Sequence, residues 1–128
     1  MKSVIYRNIL IIPVIAFTLI LGCGDEGTHY ENFSPDAPSN PVPADGAVDQ
    51  NLNVQLYWSC GDPDGDPLTY QVYLGVDANP PAVGGTLSDT TYNTGQLQPG
   101  TLYHWKIVAT DTQHSSRTGR IWHFTTGS

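Results

Sequence analysis

From residue 23 onward no stretch repeats its apolar residues every three or four positions, so no helix with a buried face is written into that part of the chain. The pattern that does recur has period two, which puts every second side chain on one face of a sheet. In NVQLYWSC, Val54, Leu56, Trp58 and Cys60 share a face, while Asn53, Gln55, Tyr57 and Ser59 take the other. Leu68, Tyr70, Val72 and Leu74 group together in LTYQVYLG, and Tyr103, Trp105, Ile107 and Ala109 do so in LYHWKIVA. In RIWHFTT, Trp122, Phe124 and Thr126 alternate with Ile121, His123 and Thr125. Turns are expected at DPDGDP, VGG and QPG, and short strands so punctuated predict an all-β antiparallel sandwich. Ahead of them, APSNPVPADGAVDQ has prolines at 38, 41 and 43, which fits an extended edge strand broken by turns, because proline cannot donate to a central ladder.

The first 22 residues follow other rules. MKSVIYRN carries Lys2 and Arg7 and no acid, and the run from Ile9 to Leu21 is apolar except at Pro13 and Thr18. A bilayer-spanning helix needs roughly 20 apolar residues. This run is shorter and holds a proline, which reads as a secretion signal rather than a span. It ends in Ile20-Leu21-Gly22-Cys23, which resembles the lipobox of bacterial lipoproteins. The resemblance implies a signal peptide over 1–22, cleavage before Cys23, and lipid on that thiol and on the new amino group. Several acyl chains anchor a protein stably, at about 0.8 kcal/mol per buried CH₂. The alternative is an uncleaved N-terminal anchor helix, and both place the body on the non-cytoplasmic side. Gly24 stands where aspartate would resemble an inner-membrane retention signal, and Asp25-Glu26 resembles a surface-export signal of Bacteroidetes lipoproteins. The expected location is the bacterial cell envelope, at the outer membrane or cell surface rather than the inner membrane.

Removal of 1–22 leaves Lys106, Arg117 and Arg120 as the only Lys or Arg against all twelve acids, a formal charge of −9. Nucleic-acid binding is excluded, because it needs a basic patch to displace counterions from phosphate. With Cys23 carrying lipid, Cys60 has no cysteine partner; a Cys23–Cys60 disulfide would require the lipobox reading to be wrong. Residues 23–36, including GDEGTHYENFSPD, read as a lipidated flexible tether. One domain over 37–126 and a tail at 127–128 complete the expected organisation.

In LQPGTLYHWKIVA, the residues Leu97, Pro99-Gly100, Tyr103, Trp105 and Ala109 resemble the turn into strand F of a fibronectin type III domain. Trp58 is similar to that fold's strand B tryptophan, and IWHFTT to its strand G. Tyr70 stands where strand C of the eukaryotic domain has tryptophan, so the bacterial versions look closer. The resemblance, from Ala37 to Thr126, implies an Ig-like sandwich of about seven antiparallel strands. It makes Trp58, Tyr103 and Trp105 structural, with Tyr103 as a tyrosine corner bonded back to the backbone near Leu97 to Pro99.

Four features are candidates for binding. Asp62, Asp64 and Asp66 crowd three carboxylates into five residues, which a cation or solvent must screen. Calcium, with 6 to 8 oxygen ligands, suits such a loop, although Pro67 and Tyr73 replace the glycine and glutamate of an EF-hand. The stretch resembles the Asp-Pro-Asp-Gly-Asp turn of cadherin-like and bacterial sandwich domains. The alternative is a solvated turn, in which the aspartates cap their own backbone and Gly65 takes positive φ. A hairpin loop centred near residues 113 and 114 would set His104 opposite His123, two imidazoles with affinity for zinc or copper. Tyr57 and Tyr73, both outward, would make an aromatic platform for a sugar or protein. Cys60 points inward and reads as a small hydrophobe, not a nucleophile.

No G-x-S-x-G, phosphate loop or paired histidine and glutamate is present, so no enzyme is expected. The leading expectation is a non-enzymatic, lipid-anchored envelope module for adhesion, spacing, or binding a protein or glycan, with no cofactor. The alternatives are a calcium-dependent binding domain and an accessory protein of an extracellular glycan-degrading system.

Overall fold

The computed structural model describes residues 30–128, so the expected signal peptide, its cleavage site and Cys23 lie outside the described residues. Asn32–Ser128 forms one compact unit without a helix. Nine strands are present among the described residues: β1 (Ser39–Val42), β2 (Ala47–Gln50), β3 (Asn53–Ser59), β4 (Thr69–Gly75), β5 (Ala82–Leu87), β6 (Thr91–Gln96), β7 (Leu102–Thr110), β8 (Ser116–Thr118) and β9 (Trp122–Thr126). One sheet has the order β1-β3-β6 and the other β2-β9-β7-β4-β5, with β8 also on β7.

The expected seven strands are recovered once the first and last are seen to be broken. The proline-rich segment runs antiparallel to β3 as β1, then crosses to the other sheet and lies beside β9 as β2. That second pairing is parallel, a departure from the all-antiparallel expectation. The last strand divides because Gly119 interrupts it, its amide reaching the Ile107 carbonyl at 2.8 Å between β8 and β9.

The alternating sets meet between the sheets. Val54, Leu56 and Trp58 of β3 face Tyr70, Val72, Leu74, Tyr103, Trp105, Ile107, Ala109, Trp122 and Phe124, and all are buried. Fully burying one such large side chain contributes about 1.5–3 kcal/mol before chain entropy is counted. The aromatics lock in pairs: Trp105 tilts on Trp122 at 4.8 Å, Tyr103 stacks on Phe124 at 5.8 Å, and Trp58 meets Tyr70 edge-on at 5.5 Å. The indole N–H groups of Trp58 and Trp105 have no partner there.

Val83-Gly84-Gly85 is not a turn, as expected, but the middle of edge strand β5. Glycine is needed there for two reasons: Gly84 has φ +65°, and a Cβ on it would stand 2.9 Å from the Tyr92 ring. The tether also ends sooner than expected. Pro35 is fully buried, and the Asp36 amide bonds the Gly61 carbonyl at 2.9 Å, so the stretch from Asn32 packs with the body rather than starting it at Ala37.

Candidate functional site

The register of β4 on β7 fixes the two ends of the sandwich. Thr69 pairs Thr110 at one end and Gly75 pairs His104 at the other. The acidic loop feeds β4 and the 111–115 loop leaves β7, so both lie at the first of these ends.

Within the acidic loop, Asp62 caps the turn as the solvated-turn reading expects. Its Oδ1 accepts the amides of Asp64 at 2.8 Å and Asp66 at 3.2 Å. The Gly65 amide bonds the Asp62 carbonyl at 2.9 Å, and Gly65 has φ +75°. Asp64 turns the other way, and its Oδ2 accepts the Phe33 amide at 2.7 Å. The expected trio of Asp62, Asp64 and Asp66 is therefore not what gathers. One carboxylate oxygen each from Asp62, Asp66 and Asp111 lie within 4.8 Å of one another.

Asp111 is the residue that sequence reasoning missed, although a signal for it existed. The inward parity of Tyr103, Trp105, Ile107 and Ala109 continues one step further to Asp111, which is only 4% exposed. Its Oδ1 accepts the amides of Gln113 and Ser115, both at 2.9 Å, and its Oδ2 accepts Asn32 Nδ2 at 2.9 Å. Asn32 also donates to Ser115 Oγ at 3.1 Å and accepts Gln113 Nε2 at 2.9 Å. The Asn32 amide foremost, helped by the two backbone N–H groups and by His114, holds the Asp111 carboxyl below the ordinary carboxylate value. Asp66 moves the opposite way. Burial first, then the charges of Asp62, Asp111 and Asp64, push its carboxyl up. Asp62 Oδ2 and Asp66 Oδ2 are both wholly buried and have no hydrogen-bond partner among the described residues.

The histidine pair lies on β7 and β9 at the expected register, His104 opposite His123, with ring centroids 6.2 Å apart. His123 Nδ1 is already taken by Asp45 Oδ1 at 3.2 Å, and among the described residues these side chains do not gather with His104 into a three-ligand group. Structural zinc sites use four ligands, so the pair is incomplete.

The aromatic platform is corrected by topology. Tyr57 belongs to β3 of the three-stranded sheet and Tyr73 to β4 of the other, so their outward faces lie on opposite sides of the sandwich. Tyr57 is 49% exposed, whereas the Tyr73 ring is covered by the Lys106 ammonium at 4.9 Å. Cys60 is half-buried, and its thiol donates to the Asp36 carbonyl at 3.2 Å. Burial and then Asp36 push its pKa up, which disfavours the nucleophilic thiolate.

At the far end of β7 the Gln98 amide donates to the Tyr103 hydroxyl at 2.9 Å, the corner bond expected between Leu97 and Pro99. Thr126 Oγ1 donates to the Gln98 carbonyl at 2.6 Å and accepts the Thr101 amide at 2.9 Å.

Solved structures share this architecture. The fibronectin type III domain of human fibronectin type III domain containing protein 3 is 21% identical, with a TM-score of 0.56 over 79% of this chain and 93% of that one. A Fn3-like protein from Clostridium thermocellum is 18% identical, with a TM-score of 0.54 over 75% of this chain and 97% of that one. The fold of the body is thus that of a fibronectin type III sandwich. No protein-family model matches the sequence, and no curated protein matches it.

Proposed function

We propose that the chain is a non-enzymatic module of the bacterial cell envelope, anchored by lipid on Cys23, that carries its sandwich as a spacer or as a surface for a protein or glycan. The observation behind this reading is the placement of the chain's polar chemistry. The space between the sheets is filled by apolar and aromatic side chains, the thiol of Cys60 is turned into a hydrogen bond, and the acidic groups converge where residues 32–36 join the body. Such a body suits a module that works through its outer faces. The sequence ahead of it supplies the anchor: an apolar run, a small residue and then Cys23.

Mass spectrometry of the native protein tests the reading. A mature N-terminus at Cys23 with acyl chains attached is expected. A chain that starts at Met1, or that carries a free Cys23 thiol, overturns it. For the displayed surface, Tyr57 is the aromatic side chain that stands free on the three-stranded sheet. Tyr57→Ala should weaken retention on a protein or polysaccharide ligand, while Tyr73→Ala should not.

A further inference from the structure

We infer that Asp62, Asp66 and Asp111 form a calcium site that fastens residues 32 and 33 to the acidic end of the sandwich. Two independent observations carry this. The first is convergence: three oxygens from two loops, 45 residues apart in sequence between Asp66 and Asp111, come within 4.8 Å of one another. The second is that Asp62 Oδ2 and Asp66 Oδ2 have neither exposed surface nor a donor. A buried, unpaired carboxylate oxygen is costly, because it has lost water and gained nothing. The two indole N–H groups left unpaired in the core are neutral and lose far less. Donors are not scarce in these loops: Asp62 Oδ1 takes two amides and Asp111 takes three N–H groups. The hydrogen bonds thus occupy Asp62 Oδ1 and both oxygens of Asp111, and leave Asp62 Oδ2 and Asp66 Oδ2 without a donor.

The donor set selects the ion. All three ligands are carboxylates, which suit a hard cation and not one that prefers nitrogen or sulfur. Two oxygens on one ion stand no farther apart than twice the metal–oxygen distance, about 4.6–5.2 Å for calcium and about 4.0–4.2 Å for magnesium. The 4.8 Å bound on these oxygens fits inside the calcium span, and three protein carboxylates exceed the one or two by which magnesium is usually held. Water completes the shell, so the affinity falls in the range of extracellular modules, a Kd of about 10⁻⁴–10⁻³ M.

The cation also acts on the incoming chain. Asp111 holds the Asn32 side chain, and Asp64, between two of the ligands, holds the Phe33 amide. Fixing Asp62, Asp66 and Asp111 around one ion fixes both handholds. The inference stands on the body alone and holds whether or not Cys23 carries lipid, so its failure and that of the anchor reading are separately visible.

Calorimetric titration of the full chain in detergent, first stripped by chelator, tests it with calcium chloride and, in parallel, magnesium chloride. One calcium per chain is expected, with affinity lowered at least about tenfold in both Asp66→Asn and Asp111→Asn, as loss of a ligand requires. Asp64→Asn should bind within about twofold of the parent, since that carboxylate is not a ligand. Near-ultraviolet dichroism of the buried tryptophans verifies that each variant is folded. Hydrogen exchange at Asn32 and Phe33 should slow when calcium is added. No saturable binding, an unchanged Asp111→Asn, a loss in Asp64→Asn equal to the others, equal magnesium binding, or exchange at residues 32 and 33 indifferent to calcium would each overturn the inference.

Discussion

At the start of β7 the Tyr103 hydroxyl, the Thr126 hydroxyl and the backbone of Gln98 and Thr101 satisfy one another with neutral groups. At its finish, the same alternation that buries Tyr103 and Trp105 delivers Asp111 into a second buried polar cluster, where two carboxylate oxygens go unpaired. Both ends face the same problem of closing a sandwich where ladder bonds run out. The neutral end solves it with groups this chain supplies. The acidic end is completed only by a partner of positive charge. Charged oxygens left unpaired at one end, where the other end satisfies its groups, are therefore a signpost to a ligand.

The contrast is broken most forcefully from the middle. Trp105 is wholly buried against Trp122, between the two ends. Trp105→Ala should cost about 3–5 kcal/mol of unfolding free energy, and the same amount in calcium as in chelator. A cost that changes markedly with calcium would mean that the ends are not separate. Tyr103→Phe comes next. It keeps the ring on Phe124 but strands the Gln98 amide, at a cost of about 1–2 kcal/mol in denaturant titration, again without calcium dependence. Asp66→Asn should act with the opposite sign at the acidic end. With calcium chelated, it removes a charge that burial and three carboxylates oppose, so its melting temperature should rise above that of the parent. In saturating calcium the order should reverse, because only the parent binds the ion. If Asp66→Asn is less stable than the parent under both conditions, the acidic end is a self-satisfied cap like the other.

The sequence disclosed the neutral end more fully than the acidic one, for a physical reason. Period two is local, so the inward sets of β3, β4, β7 and β9 could be read residue by residue, as could the pairing of His104 with His123. The tyrosine corner spans five residues and was legible through its Pro-Gly turn. Gly84 misled, because glycine marks a turn and a close approach equally, and only the Tyr92 ring tells them apart. Tyr57 and Tyr73 share a parity, yet parity does not say which sheet a strand joins. Spacing alone groups Asp64 with its neighbours. The parity of β7 marks Asp111 as inward, but its meeting with Asp62 and Asp66 depends on a contact between distant loops, which no local pattern encodes.

Asn32 gives the finest division between the ends, through pH. Its side-chain amide is the foremost reason that the Asp111 carboxyl lies below its ordinary value, so Asn32 bonds the ionised carboxylate better than the protonated acid. A carboxyl depressed in the folded state binds fewer protons there than in the unfolded chain, so stability rises with pH through that window. The stabilisation is complete above the ordinary carboxylate value and is lost as pH falls through the lowered value of folded Asp111. In chelator, then, the parent should exceed Asn32→Ala in stability near neutrality, and the gap should narrow on acidification. A gap that stays constant from neutral pH into the acid range would mean that Asn32 acts only as a neutral hydrogen-bonding spacer between Ser115 and Gln113. The neutral end provides the control. Thr126→Val removes hydroxyl bonds among uncharged groups, and its deficit should be flat over the same range.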